Sequence, residues 1–301
     1  MPSAPNHEST FESLSLPIFS ILCAISLAIW WSPLASSFAL ALHDDQYTHI
    51  LLILPISAAL IFMDWKPPEP FHAPSAVLGS ALLVAVASVT FFMRRGALAL
   101  SPDERLAANM LALVLWWIAA FILCFGNRAF RRSLFPLCFL FWLVPFPDFV
   151  LNPVVNLLQQ GSAAAAHLLF AAVGVPVEQQ GVLLHIPGLT VEVARECSSI
   201  RSSSMLIVTT MVLAHLLLRS PWRKALLVLV AIPLSVAKNG LRIFVIAMLA
   251  TRVDPSFLTG RLHRQGGIVF FLIALAATFL LLWILRRGER QDHEIAPART
   301  V

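Results

Sequence analysis

The chain has 301 residues, 58% of them hydrophobic and only 12% charged, with a mean hydropathy of +0.82. That makeup excludes a soluble domain of ordinary composition and points to an all-α polytopic membrane protein. The formal net charge of +5 is no sign of a nucleic-acid partner, because Lys and Arg fall mostly in short loops between apolar runs.

Met1 to Ser15 is polar and lacks both Lys and Arg, the first of which is Lys66. A secretory signal requires a positive n-region, so Leu16 to Leu42 reads as a retained first span. The loop His43 to His49 leads to a second span, Ile50 to Met63, and Asp64 to His72 is a Pro-rich connector. Further spans are expected from about Ala76 to Met93 and from Leu106 to Phe125. After the basic turn Asn127 to Arg132 comes another, Leu134 to Val150, interrupted by Pro145 and Pro147.

Asn152 to Val173 is helical by composition. Asn156, Gln159, Gln160, Ser162 and His167 make it polar for a lipid-facing span, so it is expected to lie in or dip into the interface. From Val175 to Ala194, Gly181, Pro187 and Gly188 punctuate two alternating stretches, Val182 to Ile186 and Leu189 to Val193. This predicts a β-hairpin outside the hydrocarbon, where an open sheet edge can be hydrated. The last spans are Ser198 to Leu218, Ala225 to Ala250 and Gly266 to Leu285.

The expected architecture is therefore about eight transmembrane helices, an interfacial helix and a small extracytoplasmic hairpin. It forms a single membrane domain over 1–301, with a polar tail at 1–15, a bundle at 16–285 and a basic cytoplasmic tail at 286–301. A cytoplasmic N-terminus, with 152–173 not crossing, leaves more Lys and Arg inside than outside. That arrangement fits the positive-inside rule better than the alternative in which 152–173 crosses.

Of four cysteines, Cys23, Cys124 and Cys138 lie within apolar runs, where a thiol behaves as a small hydrophobe. Cys197 differs. It sits in the polar block Arg195-Glu196-Cys197-Ser198-Ser199-Ile200-Arg201-Ser202-Ser203-Ser204, just ahead of an apolar run. Two later polar intrusions look like its partners: Asn239 and Arg242 inside one span, and His263 before the next. Arg242 lies eight residues before Ala250, so it would sit ~12 Å below the outer end of its helix. A guanidinium there is costly unless it faces the bundle or a wet cavity. Asn239 shares its helix face by spacing, whereas Lys238 is read as pointing elsewhere.

A thiol near Arg at a helix N-terminus is placed to ionise. With His263 as base and then acid, and Arg242 steadying an oxyanion, the three residue types suggest acyl transfer at Cys197, with Arg201 and Asn239 in support. Bland readings stand beside this one: a packing cysteine, a structural arginine, a solvated loop histidine. His167 and His215 are read as interhelical hydrogen-bonders, and Asp44, Asp45 and His49 as a loop or substrate-facing rim, since no second cluster completes a metal site. A polytopic transporter, or a non-catalytic component of polysaccharide or protein export, remains the alternative from another class.

Glu196-Cys197-Ser198-Ser199-Ile200-Arg201-Ser202 resembles the cysteine motif of the exosortase/archaeosortase family. Ile232-Pro233-Leu234 followed by Lys238-Asn239-Gly240-Leu241-Arg242-Ile243 resembles that family's proline-to-arginine helix, and His263-Arg264-Gln265-Gly266-Gly267 its histidine motif. Tyr47-Thr48-His49 leading into Leu51 to Pro55 is similar to the opening of its second span. One departure is Ser199, where the family usually has glycine.

The resemblance implies a membrane cysteine peptidase and transpeptidase with Cys197, Arg242 and His263 as its working residues and no metal or organic cofactor. The implied substrates are exported proteins ending in a Pro-Glu-Pro-like motif, a transmembrane helix and a basic tail. Polysaccharide-export machinery is a further implied partner. The implied location is a bacterial inner membrane, with the site facing the periplasm.

Overall fold

The computed structural model describes residues 7–63, 73–96, 98–193, 200–258 and 267–295. The Pro-rich connector Asp64 to His72 lies outside the described residues. Seven described helices are long and apolar enough to cross a bilayer, and up to eight if Leu134–Leu143 and Asp148–Ala172 form one broken span. The protein is thus an all-α, multi-pass membrane protein with a small sheet. Its backbone contacts group into two units, Met1–Asp148 and Phe149–Val301.

The first unit is built on α4 (Pro102–Arg132), against which α1 (His7–His43) and α3 (Ala73–Arg94) pack. A capping box between Ser101 and Glu104, with Pro102 in the first turn, starts α4. The helix breaks at Gly126 (φ 80°, ψ 172°), where the apolar run ends and the basic turn begins. Gly79 lets α3 approach closely, for a Cβ there would lie 2.7 Å from the Leu123 backbone. Phe19, Phe121 and Phe125 interlock across α1 and α4, and Trp116 Nε1 donates to the Leu22 carbonyl at 3.1 Å.

Helix α1 departs from helical geometry at Trp30. Pro33, which has no N–H, leaves the carbonyl four residues back without its usual donor. That carbonyl belongs to Ile29, and the Arg94 guanidinium at the end of α3 donates to it. In a bilayer, such a freed group must be satisfied by protein.

Helix α2 (Ile50–Met63) packs against α5 (Leu134–Phe139) and the 3-10 turn Leu140–Leu143. The expected span Leu134 to Val150 is therefore not one helix. Val144 is extended, and Pro145 and Pro147 lack the N–H groups that a continuing helix would use. Asp148 begins α6 instead.

The second unit contains α6 (Asp148–Ala172), α7 (Ile200–Leu217), α8 (Pro221–Arg252) and α9 (Gly267–Ile295). The short link Leu218–Ser220 makes α7 and α8 antiparallel neighbours. At the far end of this pair, the Glu289 carboxylate of α9 accepts from the Arg219 and Ser220 N–H groups, the latter at 2.8 Å. Arg223 of α8 donates to the Leu285 carbonyl at 3.0 Å. Helix α9 therefore runs antiparallel to α8, and both termini of interest, the end of α8 and the start of α9, lie at the other end.

The predicted hairpin is present with one strand more than expected. Strands β1 (Glu178–Gln180), β2 (Leu183–Ile186) and β3 (Leu189–Glu192) form an antiparallel meander, with Ile186 paired to Leu189 and Leu183 to Glu192. Its apolar face, Leu184 and Ile186 with Val193, packs on Ala163, Ala166 and Phe170 of α6 and on Ile243 and Ala247 of α8.

Candidate functional site

Helix α8 carries Ser235, Lys238, Asn239 and Arg242 at three- and four-residue spacings, so the four form one continuous face. Ser235, Lys238 and Asn239 are buried, Lys238 at 5% exposure and Asn239 at 1%, and Arg242 is half-buried. Lys238 does not point elsewhere, as sequence adjacency to Asn239 suggested. Its Nζ donates to Ser202 Oγ on α7. It is four residues from Arg242, one helical turn, which brings it to the same face.

Ser235 Oγ donates to Ser203 Oγ, so consecutive serines of α7 meet α8. Arg201, one position earlier, is exposed. These contacts fix the first turn of α7 against the middle of α8. No Asp or Glu occurs in α7 or α8, so the cations on this face are not held by carboxylates of their own helix pair. Asn239 has neither its side-chain oxygen nor its nitrogen hydrogen-bonded among the described residues, although a buried amide ordinarily has partners.

Helix α6 closes the opposite flank. A Cβ on Gly240 would lie 2.5 Å from Ala165 Cβ and 3.0 Å from the Ala166 nitrogen, and one on Gly161 would lie 3.1 Å from Val236 Cγ1. Farther along, Phe170 meets Phe244 edge-on at 5.0 Å. The ascending order of these pairs shows α6 running in the same sense as α8 beside the polar face. Part of the polarity that suggested an interfacial helix is internal. Gln159 is buried and its Nε2 donates to the Val193 carbonyl at 2.7 Å, while Ser162 Oγ returns to the Leu158 carbonyl.

The polar block therefore starts from a fixed point, Val193, and ends in another, the first turn of α7. Cys197 and His263 themselves, with Glu196 and Ser199, lie outside the described residues. The described members of the expected constellation are Arg242 and Asn239, which share one buried face of α8, and Arg201, which is exposed. The other cysteines sit in the first unit, Cys23 and Cys124 half-buried and Cys138 exposed.

Among the described residues no group of His, Cys, Asp and Glu could hold a metal. Asp44 caps a 3-10 turn by accepting from the Gln46 N–H at 2.9 Å, and His49 is buried edge-on to Trp142 at 5.7 Å.

Chemically, the described part of the site is cationic and rich in hydroxyl and amide groups, suited to hold an anion beside the start of a helix. Lys238, Ser202, Ser203 and Gln159 are the residues that sequence reasoning left out. The four-residue spacing of Lys238 and Arg242 was a usable signal for the first, while no local pattern marks the serine partners or the Val193 anchor.

A family model described as transmembrane exosortase matches residues 30–280. No curated protein and no solved structure matches the chain.

Proposed function

The chain belongs to the transmembrane exosortase family, and on that premise we propose that Cys197, Arg242 and His263 form a thiol site at the periplasmic face of a bacterial inner membrane. The substrates are exported proteins ending in a Pro-Glu-Pro-like motif, a transmembrane helix and a basic tail. His263 takes the thiol proton of Cys197, the resulting thiolate attacks the scissile carbonyl carbon, and Arg242 holds the oxyanion that develops. His263 gives a proton to the leaving amine, which frees the tail and leaves a thioester on Cys197. A second nucleophile then displaces the sulfur, with His263 taking its proton. Arg201 and Asn239 support the site, and polysaccharide-export machinery is a further partner.

The observation that carries this reading is the register of α7 against α8. Ser202 meets Lys238, and Ser203 meets Ser235. Arg242 is four residues beyond Lys238, and Ser198 is four before Ser202. Arg242 is therefore one turn beyond the Ser202–Lys238 contact, in the direction of the start of α7 at Ile200. Covalent reach alone holds Cys197 within ~11 Å of Ile200, three residues on.

The α8–α9 pairing supports the third member. Starting from the contact between Arg223 and Leu285, nineteen residues along α8 reach Arg242, and eighteen back along α9 reach Gly267. At equal rise these positions are level. His263 precedes Gly267 by four residues, close enough by chain length to reach the level of Arg242.

The test is co-expression of a tagged substrate bearing the three-part tail with the parent protein, Cys197→Ser, Arg242→Lys or His263→Ala. Processing by the parent alone, or with Arg242→Lys weakly active, is expected. Equal processing by the parent and Cys197→Ser would end the thiol reading.

A further inference from the structure

Lys238 is a described cation that the proposed chemistry does not use, and its setting is unusual for a structural lysine. It is 5% exposed and lies fourteen residues from Arg252 and seventeen from Pro221, the two ends of α8. Neither end is within reach of its stem, so it cannot carry its charge to an interface. An ammonium buried at that depth is costly to keep. Its partner is a serine hydroxyl, which a neutral Gln or Ser would bridge at far lower desolvation cost. With no Asp or Glu in α7 or α8, holding an ion pair within these two helices is not its task.

Three further features raise the positive potential around it. Arg242 lies one turn away on the same face. The N-terminal end of α7, whose backbone N–H groups carry the positive end of the helix dipole, is held against it by Ser202 and Ser203. Asn239, 1% exposed and with both amide atoms unpartnered among the described residues, offers a donor between the two cations. A buried, unsatisfied amide flanked by two cations is a site prepared for an anion that arrives.

From this geometry we propose that Lys238 is a positioning residue and the second cation of the site. Through Ser202 it fixes the first turn of α7 against α8, and beside Arg242 and Asn239 its charge raises the positive potential at the thiol. This rests on the reading of Cys197 as the nucleophile. Other charged groups near in sequence or packing, Arg201 on α7, His167 on α6, Glu192 on β3, and Glu196 and His263 in the flanking motifs, stay unchanged in the variants below.

The test uses the full-length protein in lipid nanodiscs with Cys23, Cys124 and Cys138 replaced by alanine, leaving Cys197 as the one thiol. Alkylation rates with anionic iodoacetate and neutral iodoacetamide are compared as a ratio, which reports local charge at the sulfur rather than folding. Lys238→Gln keeps a hydrogen-bonding group for Ser202 and removes the charge, and Lys238→Arg keeps the charge. The expected result is a ratio about three- to tenfold lower in Lys238→Gln and restored in Lys238→Arg. Substrate processing should fall in step through kcat more than KM.

An unchanged ratio in folded Lys238→Gln overturns the inference, as does a Cys197 that neither reagent modifies in the parent. Processing that survives Cys197→Ser, with the ratio still dependent on Lys238, would instead refute the catalytic reading and leave the anion site standing.

Discussion

The side chain of Gln159 donates to the carbonyl of Val193 across 2.7 Å, tying the exit of the last strand to α6. That bond sets the point from which the chain departs toward Cys197, four residues later. Gln159→Leu keeps the volume and leaves a buried carbonyl without its donor, a loss of about 1–3 kcal/mol. A lower midpoint of thermal unfolding in detergent and slower substrate processing are expected together. An unchanged midpoint would show that water or another donor replaces the amide.

The close passage of α6 over α8 is graded by two glycines. Gly240→Ala puts a methyl 2.5 Å from Ala165 Cβ and 3.0 Å from backbone, neither of which can rotate away, whereas Gly161→Ala meets a valine methyl at 3.1 Å. Overpacking of this kind costs about 1–3 kcal/mol, so Gly240→Ala should lower thermal stability clearly more than Gly161→Ala. Because Gly240 adjoins Asn239, its variant should also lose processing activity.

At the opposite end of the second unit, Glu289 accepts from the Arg219 and Ser220 N–H groups ahead of α8. It ties the residues that lead into α8 to α9. Glu289→Ala removes this link, with an expected loss of about 0.5–1.5 kcal/mol. Part of this effect is electrostatic and should shrink at high salt. Hydrogen exchange at the first turn of α8, measured by mass spectrometry, should rise while exchange in the sheet does not.

Arg94 donates to the Ile29 carbonyl that Pro33 leaves free. Arg94→Met should destabilise the first unit by about 1–3 kcal/mol. The double variant with Pro33→Ala, which restores the backbone donor, should recover much of that loss. Thermal unfolding of the four proteins forms a closed cycle, and simple additivity would argue against the pairing.

The proposed orientation is checked by labelling a cysteine-free protein in spheroplasts. Thr190→Cys on the exposed side of β3 should react with a membrane-impermeant maleimide from outside, and Arg287→Cys on α9 only after lysis. The reverse pattern would move the whole site to the cytoplasmic face.

Composition and hydropathy were sufficient for the class, because the energy of placing a helix in lipid is nearly additive along the chain. They located the apolar parts of the first four helices, α7, α8 and α9, while α1 begins nine residues before the expected Leu16, α4 runs seven past Phe125 and α9 ten past Leu285. Turn residues did the same for β2 and β3, since Gly181, Pro187 and Gly188 act locally. The spacing of Asn239 and Arg242 likewise read correctly as one face.

What the sequence alone did not yield is everything that depends on register between distant segments. Lys238 was placed away from the site because it neighbours Asn239, and its reach across to Ser202 is decided by how α7 slides against α8. Gln159 and Ser162 looked like interfacial polarity until packing turned them inward. Pro145 and Pro147 marked the break after Leu134 in advance, but that the chain turns by 93° there into α6 is set by packing. A residue's polarity is written in the chain, but which group satisfies it is settled by helices meeting at depths that no local pattern records.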